Sequence, residues 1–95
     1  MMTNKPVPNT RDWHLYIVRC KDNTLYSGIT TNVEKRVNAH NKGTGAKYTI
    51  GRTPVTLVYT EALPNISAAR KREAQVKKLS RAQKETLAAN CLNGE

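Results

Sequence analysis

The sequence predicts an α/β fold of the α+β kind: a small three-stranded antiparallel sheet flanked by helices. Runs rich in β-branched and aromatic residues occupy 13–20, 25–30 and 55–59, and a turn-like segment separates the first two. Helical patterns with capping residues at their starts follow the second and third runs. A chain of 95 residues has room for one hydrophobic core, so we expect a single domain.

We expect that domain to span residues 13–89, between a flexible lead-in at 1–12 and a tail at 90–95. No signal-peptide pattern precedes the first strand, and no apolar run reaches membrane-spanning length. Cys20 and Cys91 fit no metal-ligand spacing. A reducing, cytoplasmic compartment is therefore expected, with Cys20 packed as a small apolar residue and Cys91 a free surface thiol.

The charge of the chain limits its partners. The formal net charge is +9 and the pI is about 10.0, and the basic residues are spread along the sequence. A positive field of this kind attracts polyanions, above all nucleic acids. The alternative is a basic surface that only aids solubility.

The loop between the first two strands decides where two tyrosines point. A three-residue loop at Lys21–Asn23 pairs Tyr16 with Gly28 and brings Tyr16 and Tyr26 to one face of the sheet. Gly28 then leaves an open space beside the Tyr16 ring. A loop of even length would place the two phenols on opposite faces.

Three helices are predicted. Thr31 with Glu34, and Ser80 with Gln83, match the capping-box pattern at a helix start. The predicted helices run from Thr31 to about Lys42, from Ile66 or Ser67 to Leu79, and from Ser80 through Ala89.

A basic segment at 46–52 separates the first helix from the third strand. It contains Lys47, Tyr48 and Arg52, and its composition predicts a mobile loop. The two lysine and arginine side chains suit phosphate contacts, and the exposed ring of Tyr48 suits base stacking.

Glu73 is a carboxylate within a strongly basic helical stretch. Its spacing from Ile66, Ala69 and Val76 places all four residues on one helix face, which should point toward the sheet. A carboxylate entering an apolar interior needs an ionic partner or a bound cation. The two interpretations are an ion pair with a neighbouring Arg or Lys, and a metal site.

Arg36 and His40 share a helix face because they lie four residues apart. Arg36 can hold a phosphate, and His40 can orient a water or a tyrosine, or protonate a leaving oxygen. Tyr16 and Tyr26 are by default strand aromatics. A phenol with a pKa near 10 becomes a plausible base only beside a metal ion and a cationic side chain.

Together these residues resemble the GIY-YIG nuclease superfamily, in particular its small single-domain branch. Leu15-Tyr16-Ile17 and Tyr26-Ser27-Gly28 stand in place of the two family tripeptides. The stretch from Arg36 to His40 is similar to the family's Arg-x-x-x-His helix, and Glu73 to its metal-binding glutamate.

The resemblance implies a catalytic set of Tyr16, Tyr26, Arg36, His40 and Glu73. Glu73 would hold one divalent cation, Mg²⁺ or Mn²⁺, and Arg36 would hold the scissile phosphate. Tyr16 would activate the attacking water, with Tyr26 and His40 assisting.

The chain departs from the family pattern in two places. The first tripeptide lacks Gly and Ile at their family places, with Leu15 before Tyr16 and Ile17 after it. The Asn that many members carry after the glutamate has only Asn90 and Asn93 as nearby candidates.

The function predicted from these observations is metal-dependent endonucleolytic hydrolysis of DNA. Single-stranded or branched DNA is favoured, since the sequence carries no separate module for reading a duplex. The nucleic-acid contacts would come from Arg36, Lys47, Tyr48 and Arg52. The alternatives are a non-catalytic nucleic-acid-binding module, and a nuclease subunit that is active only with a protein partner in a larger complex.

Overall fold

A computed structural model describes residues 13–93, with side chains described through Asn90. The expectations for the lead-in, for the Cys91 side chain and for residues 94–95 lie outside the described part of the chain. The elements are β1 Trp13–Arg19, β2 Leu25–Thr30, α1 Val33–Asn41, a short 3₁₀ helix Lys47–Thr49, β3 Thr56–Leu63, α2 Ile66–Lys77 and α3 Arg81–Asn93.

The three strands form one antiparallel sheet in the order β2-β1-β3, which confirms the predicted fold class. The β1–β2 loop has the predicted length, because the Cys20 amide donates to the Thr24 carbonyl at 2.8 Å. Asn23 takes a left-handed conformation with φ of 71°, which asparagine tolerates better than most residues. Tyr16 consequently lies opposite Gly28, as predicted.

Both faces of β1 are covered, and alternate residues serve the two sides. Leu15 and Ile17 pack with Val76 of α2 in one apolar cluster. Tyr16 and Val18 belong to the other cluster, which continues into α1. All of these residues are at most 1% exposed, so the central strand anchors the whole core. Cys20 lies in the second cluster as the small apolar residue that was expected.

The predicted start of the first helix is wrong by one residue. Asn32, not Thr31, is the N-cap, and its side-chain oxygen accepts from the Lys35 amide at 3.0 Å. An asparagine caps at least as well as a threonine, so the local sequence permits both choices. The second capping box is confirmed: the Ser80 amide donates to Gln83 Oε1 at 2.9 Å, and the Gln83 amide to Ser80 Oγ at 3.1 Å.

Further boundaries differ from the prediction, and α2 ends at Lys77 rather than Leu79. β3 starts one residue later than expected and continues to Leu63, directly before Pro64. Pairing with β1 extends as far as the Trp13–Leu63 position, so the partner strand sustains the extra length. α3 continues past Ala89 to Asn93, which places residues 90–93 in a helix rather than a tail. No helix among the described residues is long and apolar enough to cross a membrane.

Candidate active site

The Tyr16 hydroxyl is the centre of the candidate site. β1 holds this side chain at the middle of the sheet, where it is 1% exposed, and α1 crosses above it. Its oxygen lies 2.8 Å from His40 Nε2, and Arg36 Nε donates to it at 3.4 Å. The i, i+4 spacing on α1 thus brings an imidazole and a guanidinium to one phenol.

Gly28 makes room for that hydroxyl. A Cβ at this position would lie 2.7 Å from the Tyr16 oxygen and 2.9 Å from the adjoining ring carbon. Contacts this short do not occur for real side chains, so any larger residue would displace the phenol. Gly28 therefore leaves the predicted space beside the Tyr16 ring, and the Tyr16 hydroxyl fills it.

The far side of the His40 ring meets the segment after α1. His40 is fully buried, and its Nδ1 lies 2.8 Å from the hydroxyl of Thr49, which is also fully buried. The Ala46 amide points to the same nitrogen at 3.3 Å. A Cβ on Gly45 would overlap Nδ1 and stand 2.8 Å from the His40 Cα, so only glycine fits here.

Sequence reasoning did not find Thr49 and Gly45. The composition of the segment predicts a mobile basic loop, whereas the structure forms a 3₁₀ helix there and buries Thr49. A threonine between Tyr48 and Ile50, which are both exposed, carries no local signal of burial. The contact depends on the chain returning to α1, and this is a tertiary event.

Tyr26 lies on the same side of the sheet as Tyr16, as the loop length predicted. Its ring meets His40 edge-on, with centroids 5.6 Å apart, and stacks on Tyr48 with centroids 5.5 Å apart. Arrangements of this kind are favourable for aromatic pairs. Tyr26 thus packs between the imidazole and the basic segment.

Glu73 lies at the rim of the core rather than inside it, which corrects the expectation of an interior carboxylate. Ala69 and Val76 on the same helix are fully buried, but the Glu73 side chain is 25% exposed. Its carboxylate pairs with Lys77 at 3.2 Å, and the Lys77 ammonium lies 5.7 Å from the centre of the Tyr26 ring. Remaining partly hydrated spares the carboxylate most of the cost of burial.

The surroundings of Tyr16 and His40 set the protonation of these two side chains. Burial raises the pKa of Tyr16 above its usual 10.0, although the Arg36 hydrogen bond and charge act in the opposite direction. Burial, with a contribution from Arg36, lowers the pKa of His40 below its usual 6.5. At neutral pH the protein therefore holds a phenol against a neutral imidazole.

The residues near Tyr16 are compatible with one divalent cation. Among residues 13–90, no three His, Cys, Asp or Glu side chains gather into a ready metal cage. Mg²⁺ is commonly held by one or two carboxylates together with substrate phosphate oxygens and water. Glu73 fits that pattern as a single protein ligand. Asn90 is exposed on α3, and the Asn93 side chain lies outside the described residues.

The residues that are predicted to contact nucleic acid differ in how far other side chains of the protein already engage them. Lys47 is exposed, and none of the ion pairs within the described residues includes it. Arg52 pairs with Asp22 at 3.1 Å, and its guanidinium lies 4.3 Å from the centre of the Tyr48 ring. Tyr48 remains 40% exposed between its neighbours. A phosphate at Arg52 would therefore compete with a carboxylate that is already bound.

A family model for the GIY-YIG catalytic domain matches residues 12–86. The chain belongs to the GIY-YIG family. It is 57% identical over 79 residues to a UPF0213 protein of Natronomonas pharaonis, covering 83% of this chain and 93% of the relative. It is also 57% identical over 74 residues to a UPF0213 protein of Halobacterium salinarum, covering 78% and 96%.

Solved structures agree with this assignment. The solution NMR structure of a UPF0213 protein from Bacillus halodurans has a TM-score of 0.53 at 46% identity, covering 82% of this chain and 83% of that one. A second NMR structure, of an E. faecalis protein, gives 0.58 at 43% identity, covering 84% and 85%. The resemblance stated from the motifs is confirmed, and GIY-YIG membership places the chain in a nuclease family that acts on nucleic acid.

Proposed function

We propose that this GIY-YIG protein is a divalent-metal-dependent endonuclease that hydrolyses phosphodiester bonds in DNA. The observation that carries the proposal is the buried Tyr16 hydroxyl with an imidazole at 2.8 Å and a guanidinium at 3.4 Å. A purely structural tyrosine in a sheet needs one partner for its hydroxyl. Proton transfer beside a phosphate requires a group that can take up the proton and a cation that can bind the phosphate, and His40 and Arg36 have these two chemistries.

Each side chain has a distinct part in this scheme. Arg36 is only partly buried, so its remaining N–H groups can bind a phosphate oxygen and bring the phosphorus close to Tyr16. The Tyr16 oxygen accepts a proton from the attacking water, and the neutral His40 imidazole exchanges a proton with Tyr16. Tyr26 fixes the position of the imidazole ring by packing against it.

Glu73 is the proposed metal ligand. A bound Mg²⁺ or Mn²⁺ would neutralise charge on the phosphate and favour an ionised oxygen nucleophile. Lys77 holds the carboxylate at 3.2 Å, on the Tyr26 side of the site.

The preferred substrate is single-stranded or branched DNA. Lys47 offers an exposed charge to the phosphate backbone of the DNA, and Arg52 offers a charge that is already paired with Asp22. Tyr48 offers the edge of its ring, against which an unstacked base can pack. The free, buried Cys20 accords with the proposed reducing, cytoplasmic location. The alternative proposal is that the chain is active only together with a protein partner, inside a larger complex.

The test is incubation of the isolated chain with labelled single-stranded, duplex and branched DNA, in Mg²⁺, in Mn²⁺ and in chelator. Cleavage that requires the metal and is lost in Glu73→Gln supports the proposal. Glu34→Gln is the matched control, because Glu34 is an exposed carboxylate in the first turn of α1. Salt-sensitive binding with no cleavage would identify a binding module instead, and cleavage only after adding a cell extract would indicate a subunit of a complex.

A further inference from the structure

Thr49 lies on the opposite side of the His40 ring from Tyr16. The donor and the acceptor in each hydrogen bond of the Thr49 hydroxyl can be assigned from its partners. The Thr49 oxygen is 2.8 Å from the Ala46 carbonyl oxygen and 2.8 Å from His40 Nδ1. A carbonyl can only accept, so the single Thr49 proton lies on the line to Ala46. The Thr49 oxygen then faces Nδ1 as an acceptor.

The imidazole must match this arrangement. A hydrogen bond from Nδ1 to Thr49 needs the ring proton on Nδ1, which leaves Nε2 with a free lone pair. Nε2 lies 2.8 Å from the Tyr16 oxygen, so the Tyr16 hydroxyl donates to it. Arg36 donates to the remaining lone pair of that oxygen.

The opposite tautomer fits the geometry less well. It would leave Nδ1 bare, to accept from the Ala46 amide at 3.3 Å, the longest contact around the ring. The Thr49 proton would then have to serve either Nδ1 or the Ala46 carbonyl, leaving one of two 2.8 Å contacts without a hydrogen. The first arrangement satisfies both short contacts, and its cost is the 3.3 Å hydrogen bond of the Ala46 amide, which a protonated Nδ1 cannot accept.

We infer that Thr49 is a positioning residue that holds neutral His40 with its proton on Nδ1, so that Nε2 can receive the proton of Tyr16. The chain runs from the Tyr16 hydroxyl through His40 and Thr49 to the Ala46 carbonyl. Its use in catalysis rests on the proposed function, but the tautomer itself does not. Gly45 belongs to the same arrangement, because its missing side chain lets the segment close over Nδ1.

In the hydrolytic step, Tyr16 relays a proton from the attacking water to His40. The attacking water gives a proton to the Tyr16 oxygen while the Tyr16 proton moves to His40 Nε2. The water oxygen forms its bond to phosphorus, and the P–O bond to the leaving oxygen breaks with its electron pair. The leaving oxygen takes a proton from solvent. The imidazolium then returns its proton through Tyr16 to solvent, which restores the starting state.

The decisive measurement is the tautomer of His40, read from the ¹⁵N shifts and couplings of its ring by NMR. We expect the proton on Nδ1 in the parent chain and in Thr49→Ser, and a loss of that preference in Thr49→Val, which keeps the shape but removes the hydroxyl. Thr86→Val is the matched control, since the Thr86 hydroxyl also donates to a carbonyl, at 3.0 Å, but on the exposed side of α3.

Cleavage kinetics supply the second measurement. Thr49→Val should lower kcat by about 10- to 100-fold with little change in KM, as losses of groups that orient a catalytic side chain do. Thr49→Ser should recover most of the rate. A parent His40 protonated on Nε2, or a Thr49→Val variant that keeps the parent tautomer or the parent kcat, would overturn the inference. A chain that cuts no DNA but shows the expected tautomers would refute the proposed function alone.

Discussion

Tyr16 and His40 stand 24 positions apart in the chain, and their polar atoms meet at 2.8 Å inside the protein. Neither side chain is more than 1% exposed. Burial disfavours charge on both groups, raising the pKa of Tyr16 and lowering that of His40. The pair is consequently neutral at rest and acquires charge only when a proton moves.

Removing the Tyr16 hydroxyl tests this pair directly. Tyr16→Phe keeps the ring in the core and removes the oxygen that Arg36 and His40 contact. We expect turnover to fall by roughly 10²–10⁴-fold, with DNA affinity nearly unchanged. Tyr59→Phe is the control, because Tyr59 is a half-buried strand tyrosine that packs against the Leu15–Ile17–Val76 cluster. Its hydroxyl donates to Glu61 Oε1 at 2.6 Å, away from the candidate site. Equal cleavage by Tyr16→Phe and the parent chain would refute the role of the phenol.

The contact between Glu73 and Lys77 predicts competition between the ammonium and a divalent cation. Lys77→Met should strengthen Mn²⁺ binding by about two- to five-fold, the factor that ~0.5–1 kcal/mol of a partly exposed ion pair represents. Glu73→Gln should abolish that binding. Electron paramagnetic resonance of free Mn²⁺ measures both effects without DNA. Unchanged binding in Glu73→Gln would exclude Glu73 as the metal ligand.

The ion pair between Asp22 and Arg52 predicts unequal contributions from the basic segment. Lys47→Ala should lower the slope of log affinity against log salt by about 0.7, the value for one lost contact to single-stranded DNA. Arg52→Ala should lower it less, because Asp22 at 3.1 Å already offsets that charge. Asp22→Asn should tighten DNA binding. Fluorescence anisotropy over a salt series measures all three, and a steeper effect of Arg52 than of Lys47 would contradict the prediction.

The lowered pKa of His40 gives a pH dependence with a definite sign. The folded protein binds the imidazole proton at a lower pH than the unfolded chain, whose pKa is about 6.5. The free energy of unfolding should therefore fall as the pH drops below about 6.5 and through the folded pKa, since the unfolded state then binds the extra proton. NMR titration of the ring gives the folded pKa, and chemical denaturation gives the stability. His40→Gln should flatten this part of the stability curve, and a folded pKa above 6.5 would reverse the expected sign.

Local sequence determined much of the fold. The length of the Lys21–Asn23 loop sets the register of the hairpin, and with it the shared face of Tyr16 and Tyr26. Alternation along strands and the Ser80–Gln83 capping box likewise depend on residues a few positions apart. The first helix is capped by Asn32 rather than by the predicted Thr31, because neighbouring cap residues compete on nearly equal terms.

Packing between distant segments decided the rest. The periodicity of α2 placed Glu73 on the inward face, but how α2 lies on β1 and β2 determines that its carboxylate stops at the rim beside Lys77. Likewise, only the return of the segment after α1 brings Thr49 to His40. Spacing in a sequence fixes which side chains share an element and a face. Burial, hydrogen-bond direction and the resulting pKa values depend on groups from other elements, and those are known only when the chain has folded.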